Sequence, residues 1–250
     1  MQSAYLSLPQ VIAHRGSSGE APENTLASLH LAGQQGAKWV EIDVILRADG
    51  VPVIFHDDYL SRTTNGDGLI HKTLLSDLKK LDVGSWKDPK FHAERIPTLL
   101  EAIEVISQYG MGLNLEIKPC EGLEEETVEA SIDVLKAHWP QHLPLLLSSF
   151  SYFALLSAQT LWPEVARGYN VSAIPRAWKD RLQHLGCQGL HIHQSFFNTQ
   201  LVADIKAAGY KVLSFTINDE SLALQMIEQG LDAVFSDYPK SIQAALVQQK

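Results

Sequence analysis

Cysteine is nearly missing from this sequence. Cys120 and Cys187 are the only two in 250 residues, too few to staple a fold with disulfides. Cations are also scarce: 20 Lys and Arg stand against 29 Asp and Glu, for a formal charge of −9. That balance excludes general nucleic-acid binding, which needs a cationic surface to displace counterions from phosphates. A local cluster of cations can still hold one small phosphate. No run approaches the roughly 20 apolar residues of a membrane span. The opening MQSAYLSLPQV has neither the basic n-region nor the long apolar stretch of an export signal. The expectation is a soluble, cytoplasmic protein with reduced thiols and no stable membrane association. Internal repeats and low-complexity tracts are missing too.

The composition, 45% hydrophobic and 20% charged, suits a protein with a sizeable core. Short, β-rich apolar runs alternate with segments of helical period. Val11–Ala13, Trp39–Leu46, Gly112–Ile117, Leu143–Leu147, Ala166–Val171, Gly189–Ile192, Lys211–Ile217 and Ala233–Phe235 read as buried strands. Helices are predicted between them at about Thr25–Gln35, Leu99–Gln108, Glu124–His138, Tyr152–Leu161, Ala173–Leu185, Thr199–Ala208 and Glu220–Gln229, with an eighth over Lys240–Gln248. Asn24 or Thr25 and Asp219 stand where N-caps belong, and Gly209 and Gly230 follow their helices as C′ residues. Eight β–α units in this length match a (β/α)₈ barrel, a TIM barrel; a doubly wound open sheet rarely needs eight strands in so short a chain. Residues 57–97 break the rhythm with the turn-rich TTNGDG and DVGSWKDPKF and one short amphipathic piece, TLLSDLKKLD. They read as an insertion after an extra strand, Pro52–Phe55, that pairs with Trp39–Leu46 through a turn at Ala48–Gly50. The whole chain, 1–250, reads as one domain.

In such a barrel the active site lies at the C-terminal face, and the strand ends here are unusually polar. The first ends in His14-Arg15-Gly16. Glu41 and Asp43 are two apart on the second and so face one way, as do Glu116 and Lys118 on the next barrel strand. If Ile42 and Val44 pack on the helix side, both acids point into the barrel mouth. Pro52–Phe55 runs into His56-Asp57. Three carboxylates facing one cavity repel one another and need a cation or raised pKa values. Three hard oxygen ligands suit Mg²⁺ or Ca²⁺, whereas zinc favours His or Cys. The alternative is that each acid simply pairs with a neighbouring Lys or Arg. His14 and His56 flank the acids as acid/base candidates, and Arg15 and Lys118 can bind phosphate oxygens. One of His191 and His193 can also line the mouth; the other histidines read as structural or surface residues. A metal, two imidazoles and two cations at one mouth make a site for phosphoryl chemistry.

The runs AHRGSSGEAPENTLASL, EIDVILRADGVPVIFHDDYLSRTTNGDG, LNLEIKP, SFTIND and GLDAVFSDYP resemble the glycerophosphodiester phosphodiesterase family, in its short cytosolic bacterial form. The match runs in order from about Val11 to Pro239. The resemblance implies a metal-dependent (β/α)₈ barrel that cleaves glycerophosphocholine, glycerophosphoethanolamine and similar small molecules to sn-glycerol 3-phosphate and an alcohol. It puts the acid/base pair on His14 and His56, the metal carboxylates on Glu41, Asp43 and Glu116, and phosphate binding on Arg15 and Lys118. The insertion is expected to shape the glycerol side of the pocket. Where many members carry Trp in a W-T-V-N run, this chain has Phe215-Thr216-Ile217-Asn218, so Phe215 is the expected apolar wall against the alcohol. Pro22–Thr25 is explained by turn and capping needs and is left outside the site. Two further readings compete. Hydrolysis of an intact lysophospholipid on the same barrel is disfavoured by the long insertion, and a silent binding protein would need neither the histidine pair nor the acids.

Overall fold

The computed structural model describes residues 4–248; residues 1–3, part of the opening segment on which the expectation about an export signal rests, lie outside them. The strands are β1 (Val11–His14), β2 (Trp39–Leu46), β3 (Pro52–Ile54), β4 (Gly112–Ile117), β5 (Leu145–Ser149), β6 (Ala166–Val171), β7 (Gly189–His193), β8 (Lys211–Phe215) and β9 (Ala233–Ser236). All but β3 run parallel, in the order β1-β9-β8-β7-β6-β5-β4-β2, and β1 pairs with β2 to close the ring. The fold is the expected (β/α)₈ barrel. β3 pairs antiparallel on β2, Val44 opposite Ile54, and the Ala48–Gly50 turn is closed by Gly50 N–H donating to Arg47 O.

Alternation along each strand sorts the residues. Val40, Ile42 and Val44 join Leu113, Leu115 and Ile117 in an outer core with the helices α1 (Leu26–Gln34), α3 (Leu99–Gln108) and α4 (Glu124–His138). Trp39, Ile12, Leu146, Leu213 and Phe235 fill the inside, where Ala4 and Tyr5 pack against residues at the strand starts. Gly168 and Gly189 make room for this plug: a Cβ on either would come within 2.7 or 2.5 Å of the Tyr5 hydroxyl. Above these apolar layers the inward positions turn polar, and there the site begins.

The remaining helices are α2 (Leu75–Leu78), α5 (Tyr152–Leu161), α6 (Trp178–His184), α7 (Thr199–Ala207), α8 (Glu220–Glu228) and α9 (Pro239–Gln248). Gly209 and Gly230 take φ of 87° and 105° as the chain leaves α7 and α8, the left-handed C′ geometry glycine permits. Three elements depart from expectation by two residues or more. The helix predicted from Ala173 starts at Trp178, because Pro175 holds the preceding residue out of helical geometry. The strand predicted over Leu143–Leu147 forms two residues later: Pro144 has no N–H to give, and the Leu143 carbonyl accepts from the Trp139 indole at 3.0 Å. The strand predicted to reach Ile217 ends at Phe215. Between β3 and α3, residues 57–97 hold three single-turn 3₁₀ helices and α2. Leu60, Ile70, Leu78, Val83 and Ile96 pack together with Val53 and Phe55, so the excursion carries its own small core.

Candidate active site

The barrel register brings the acids together. β1 sets His14 beside Glu41, and β2 sets Asp43 beside Glu116 on β4. One carboxylate oxygen from each of Glu41, Asp43 and Glu116 lies within 4.8 Å of the others. Asp43 takes an ion pair from Arg15 Nε at 3.1 Å, and Glu116 has Lys118 Nζ at 3.6 Å. Asn170 Nδ2 donates to Glu116 Oε2 at 3.0 Å. Glu41 is different. Among the described residues its Oε2 accepts only from the Arg15 backbone N–H at 3.0 Å, and its Oε1 is buried without a hydrogen-bond partner. Pairing with lysine and arginine therefore does not account for all three acids. The orphaned oxygen and the hard, all-oxygen donor set fit a divalent cation.

Electrostatics tell the same story. Burial first, then the nearby Asp43 and Glu116, lifts Glu41 well above the usual carboxylate range. Burial and Asp43 push Glu116 up to about 7. Burial would raise Asp43 as well, but Arg15, His56, Lys118 and the Asn24 amide outweigh it and hold Asp43 low. Without a cation the cluster keeps protons that an exposed carboxylate would have lost.

Each flanking imidazole is held by an aspartate. His14 Nδ1 lies 2.7 Å from Asp237 Oδ1, which also accepts from Ser18 Oγ at 2.7 Å. Asn218 Nδ2 donates to Asp237 Oδ2 at 2.7 Å. Burial would raise Asp237, but His14, Asn218 and Ser18 hold it far below its ordinary value. His56 Nδ1 lies 2.6 Å from Asp57 Oδ1, and burial pushes His56 below the usual histidine range against the pull of Asp43 and Asp57. In both cases Nε2 is the nitrogen left for chemistry; that of His14 is 3.9 Å from Glu41 Oε2.

Residues left outside the site on sequence grounds belong to its frame. Asn24 donates from Nδ2 to Asp43 Oδ2 at 2.8 Å while its Oδ1 accepts from Asp43 N at 3.3 Å. Glu23 Oε1 takes Arg15 Nη1 at 2.7 Å and Arg62 Nη2 at 2.7 Å, and Arg62 Nε reaches Asp57. Asp57, Arg62, Glu23, Arg15 and Asp43 thus form one alternating ladder from the excursion to the acid cluster. Asp57 was visible beside His56 and Asp237 in the late DYP run, but neither had a role that sequence could assign. Of the paired histidines, His193 meets the Phe215 ring edge-on at 5.8 Å at the mouth. His191 is buried below, 3.0 Å from the Tyr5 hydroxyl.

Two connected spaces open here. A hollow of about 120 Å³ is lined by His14, Arg15, Glu41, Asn170 and Phe215 among others, and a cleft of about 700 Å³ lies beside it toward Asp57 and Lys118. His56, Glu116 and Phe150 line both. Such a site can neutralise a bound anion and move protons on two sides of it.

Comparison with known proteins agrees with this chemistry. A family model described as "Glycerophosphoryl diester phosphodiesterase family" matches residues 14–241. The glycerophosphodiester phosphodiesterase of Caldanaerobacter subterraneus subsp. tengcongensis is 33% identical over 240 residues, covering 93% of this chain and 95% of that protein. The solved structure of an Oleispira antarctica phosphodiesterase in complex with the product sn-glycerol-3-phosphate is 78% identical with a TM-score of 0.97, covering 98% of this chain and 100% of the other. A glycerophosphodiester phosphodiesterase structure from Agrobacterium tumefaciens is 26% identical with a TM-score of 0.79, covering 95% and 100%.

Proposed function

Because the chain belongs to the glycerophosphoryl diester phosphodiesterase family, we propose that it hydrolyses small glycerophosphodiesters, such as glycerophosphocholine and glycerophosphoethanolamine, to sn-glycerol 3-phosphate and an alcohol. One observation carries the reading: Glu41, Asp43 and Glu116 bring ligand oxygens within 4.8 Å of one another at the rim that also holds His14 and His56. These three acids would hold one Mg²⁺ or Ca²⁺. When bound, that ion supplies positive charge against the acids and Lewis-acid polarisation of the phosphoryl group.

The chain's own groups do the rest. Arg15, fixed by Glu23 and Asp43, and Lys118 bind the phosphate oxygens and offset charge that builds up in the transition state. Asp237 and Asp57 orient their imidazoles through Nδ1, so each Nε2 faces the diester. One imidazole takes the proton of the nucleophile, either water or the neighbouring glycerol hydroxyl with water then opening the cyclic phosphate, and the other returns one to the departing alkoxide. Phe215 walls the bound substrate. The 250 residues act as one domain, with 57–97 supplying Asp57 and Arg62 to the site. Two free, buried cysteines suit a reducing compartment, and no helix among the described residues is long and apolar enough to cross a membrane; we place the enzyme in the cytoplasm.

The test is release of sn-glycerol 3-phosphate from glycerophosphocholine. Activity should vanish with chelator and return with Mg²⁺ or Ca²⁺. His14→Ala and His56→Ala should each lower kcat by about 10²- to 10⁴-fold with the circular dichroism spectrum unchanged. Turnover that survives exhaustive chelation, or loss of both histidines, refutes the reading.

A further inference from the structure

The large cleft beside the catalytic hollow shares His56, Asp57, Arg62, Glu116 and Lys118 with the chemistry above, but its remaining walls, Asp58, Tyr59 and Phe150 among them, have no part in it. A glycerophosphodiester has one constant portion, the glycerophosphoryl group, and one variable portion, the alcohol. The hollow of about 120 Å³, closed around the acids and Phe215, suits the compact constant portion. The cleft of about 700 Å³, reached past His56 and Phe150, has the room a variable portion needs.

The lining of the cleft narrows the choice of alcohol. Tyr59 and Phe150 leave rings 59% and 42% exposed on its walls. Its cations are already matched: Arg62 is bound by Glu23 and Asp57, and Lys118 stands 3.6 Å from Glu116. Asp58 is exposed and forms no ion pair among the described residues; its side chain has only Cys120 Sγ nearby, at 3.9 Å. An unneutralised carboxylate that shares a cleft with two exposed aromatic side chains attracts an ammonium group through both Coulomb attraction and the ring quadrupoles. A neutral polyol gains neither. The glycerol end of the substrate is never cationic, so Asp58 and these two rings serve the alcohol.

We propose that the cleft is the alcohol subsite, and that Asp58, with Tyr59 and Phe150, selects ammonium-bearing alcohols over neutral ones. This rests on the phosphodiesterase reading and sharpens it. It also moves the alcohol from the Phe215 side, expected from sequence, to the Asp58 side, leaving Phe215 to wall the hollow, and it turns the 57–97 insertion from the glycerol side expected of it to the alcohol side.

The experiment compares kcat/KM for glycerophosphocholine, glycerophosphoethanolamine and neutral glycerophosphoglycerol in the unmodified protein, Asp58→Asn, Asp58→Lys and Phe150→Ala. The unmodified protein should favour the two ammonium substrates by about threefold to tenfold, through KM rather than kcat. Asp58→Asn should erase that preference, Asp58→Lys should invert it, and Phe150→Ala should reduce it. Salt on the order of 0.5 M should weaken it in the unmodified protein. If the substrate ratio is the same in Asp58→Lys as in the unmodified protein, the proposal is overturned while the phosphodiesterase reading stands. If the unmodified protein hydrolyses none of the three, the reading itself fails and takes the proposal with it.

Discussion

Arg15 and Asn24 both adopt left-handed backbone geometry, with φ of 53° and 56°, and Asn24 N–H donates to Arg15 O at 3.1 Å. Such conformations cost energy for residues with a Cβ and gather where function requires them. Here they aim one guanidinium and one amide at Asp43. The titration of the acids gives a direct consequence. Glu116 is pushed up to about 7 and burial also raises Glu41 well above the usual carboxylate range, so protons must leave before a cation enters. Divalent affinity should therefore rise from about pH 6 to about pH 8 with measurable proton release, seen by calorimetry in two buffers of different ionisation enthalpy. In the cation-free protein the sign for stability is opposite. The folded state retains protons that the unfolded chain has shed, so stability falls as pH rises through about 7. A pH-independent affinity would contradict the cluster as described. The three acids and both histidines could be read from strand-end spacing. Asn24 could not, because its capping-type residue and turn context explained it fully until folding brought β2 beside it.

At the level of elements, the ladder of Asp57, Arg62, Glu23, Arg15 and Asp43 ties the excursion after β3 to the turn before α1. Arg62 joins the two, and its own side chain is half-exposed, so its loss should disturb the site more than the fold. Arg62→Ala is expected to lower kcat/KM by about tenfold while shifting Tm by no more than about 2–4 °C; a large drop in Tm with unchanged kinetics would make the ladder structural only. Sequence showed the excursion as turn-rich and polar but not its small core, since Leu60, Ile70, Leu78 and Ile96 are too widely spaced to form a period. The shifts at β5 and α6 have local causes, Pro144 and Pro175, whose effects on backbone geometry override the apolar pattern around them.

For the molecule as a whole, eight alternating β and α segments are nearly a complete instruction. Parallel strands joined by helices must put every βα-loop on one face, and closure through β1 and β2 makes that face a ring. This is why fold and acid cluster were both legible, whereas the ladder and the cleft, which depend on how loops from distant units meet, were not. The net charge of −9 belongs to the same picture, since Arg15, Lys118 and Arg62 at the mouth are matched by acids and a phosphate there gains from a bound cation. One divalent ion is expected among the three carboxylates. Crystals soaked in Mn²⁺, whose anomalous scattering marks its position, test it most directly. A single strong peak is expected, with an oxygen each of Glu41, Asp43 and Glu116 inside about 2.6 Å. A map with no peak there, and with Arg15 and Lys118 closed over the acids instead, would contradict it.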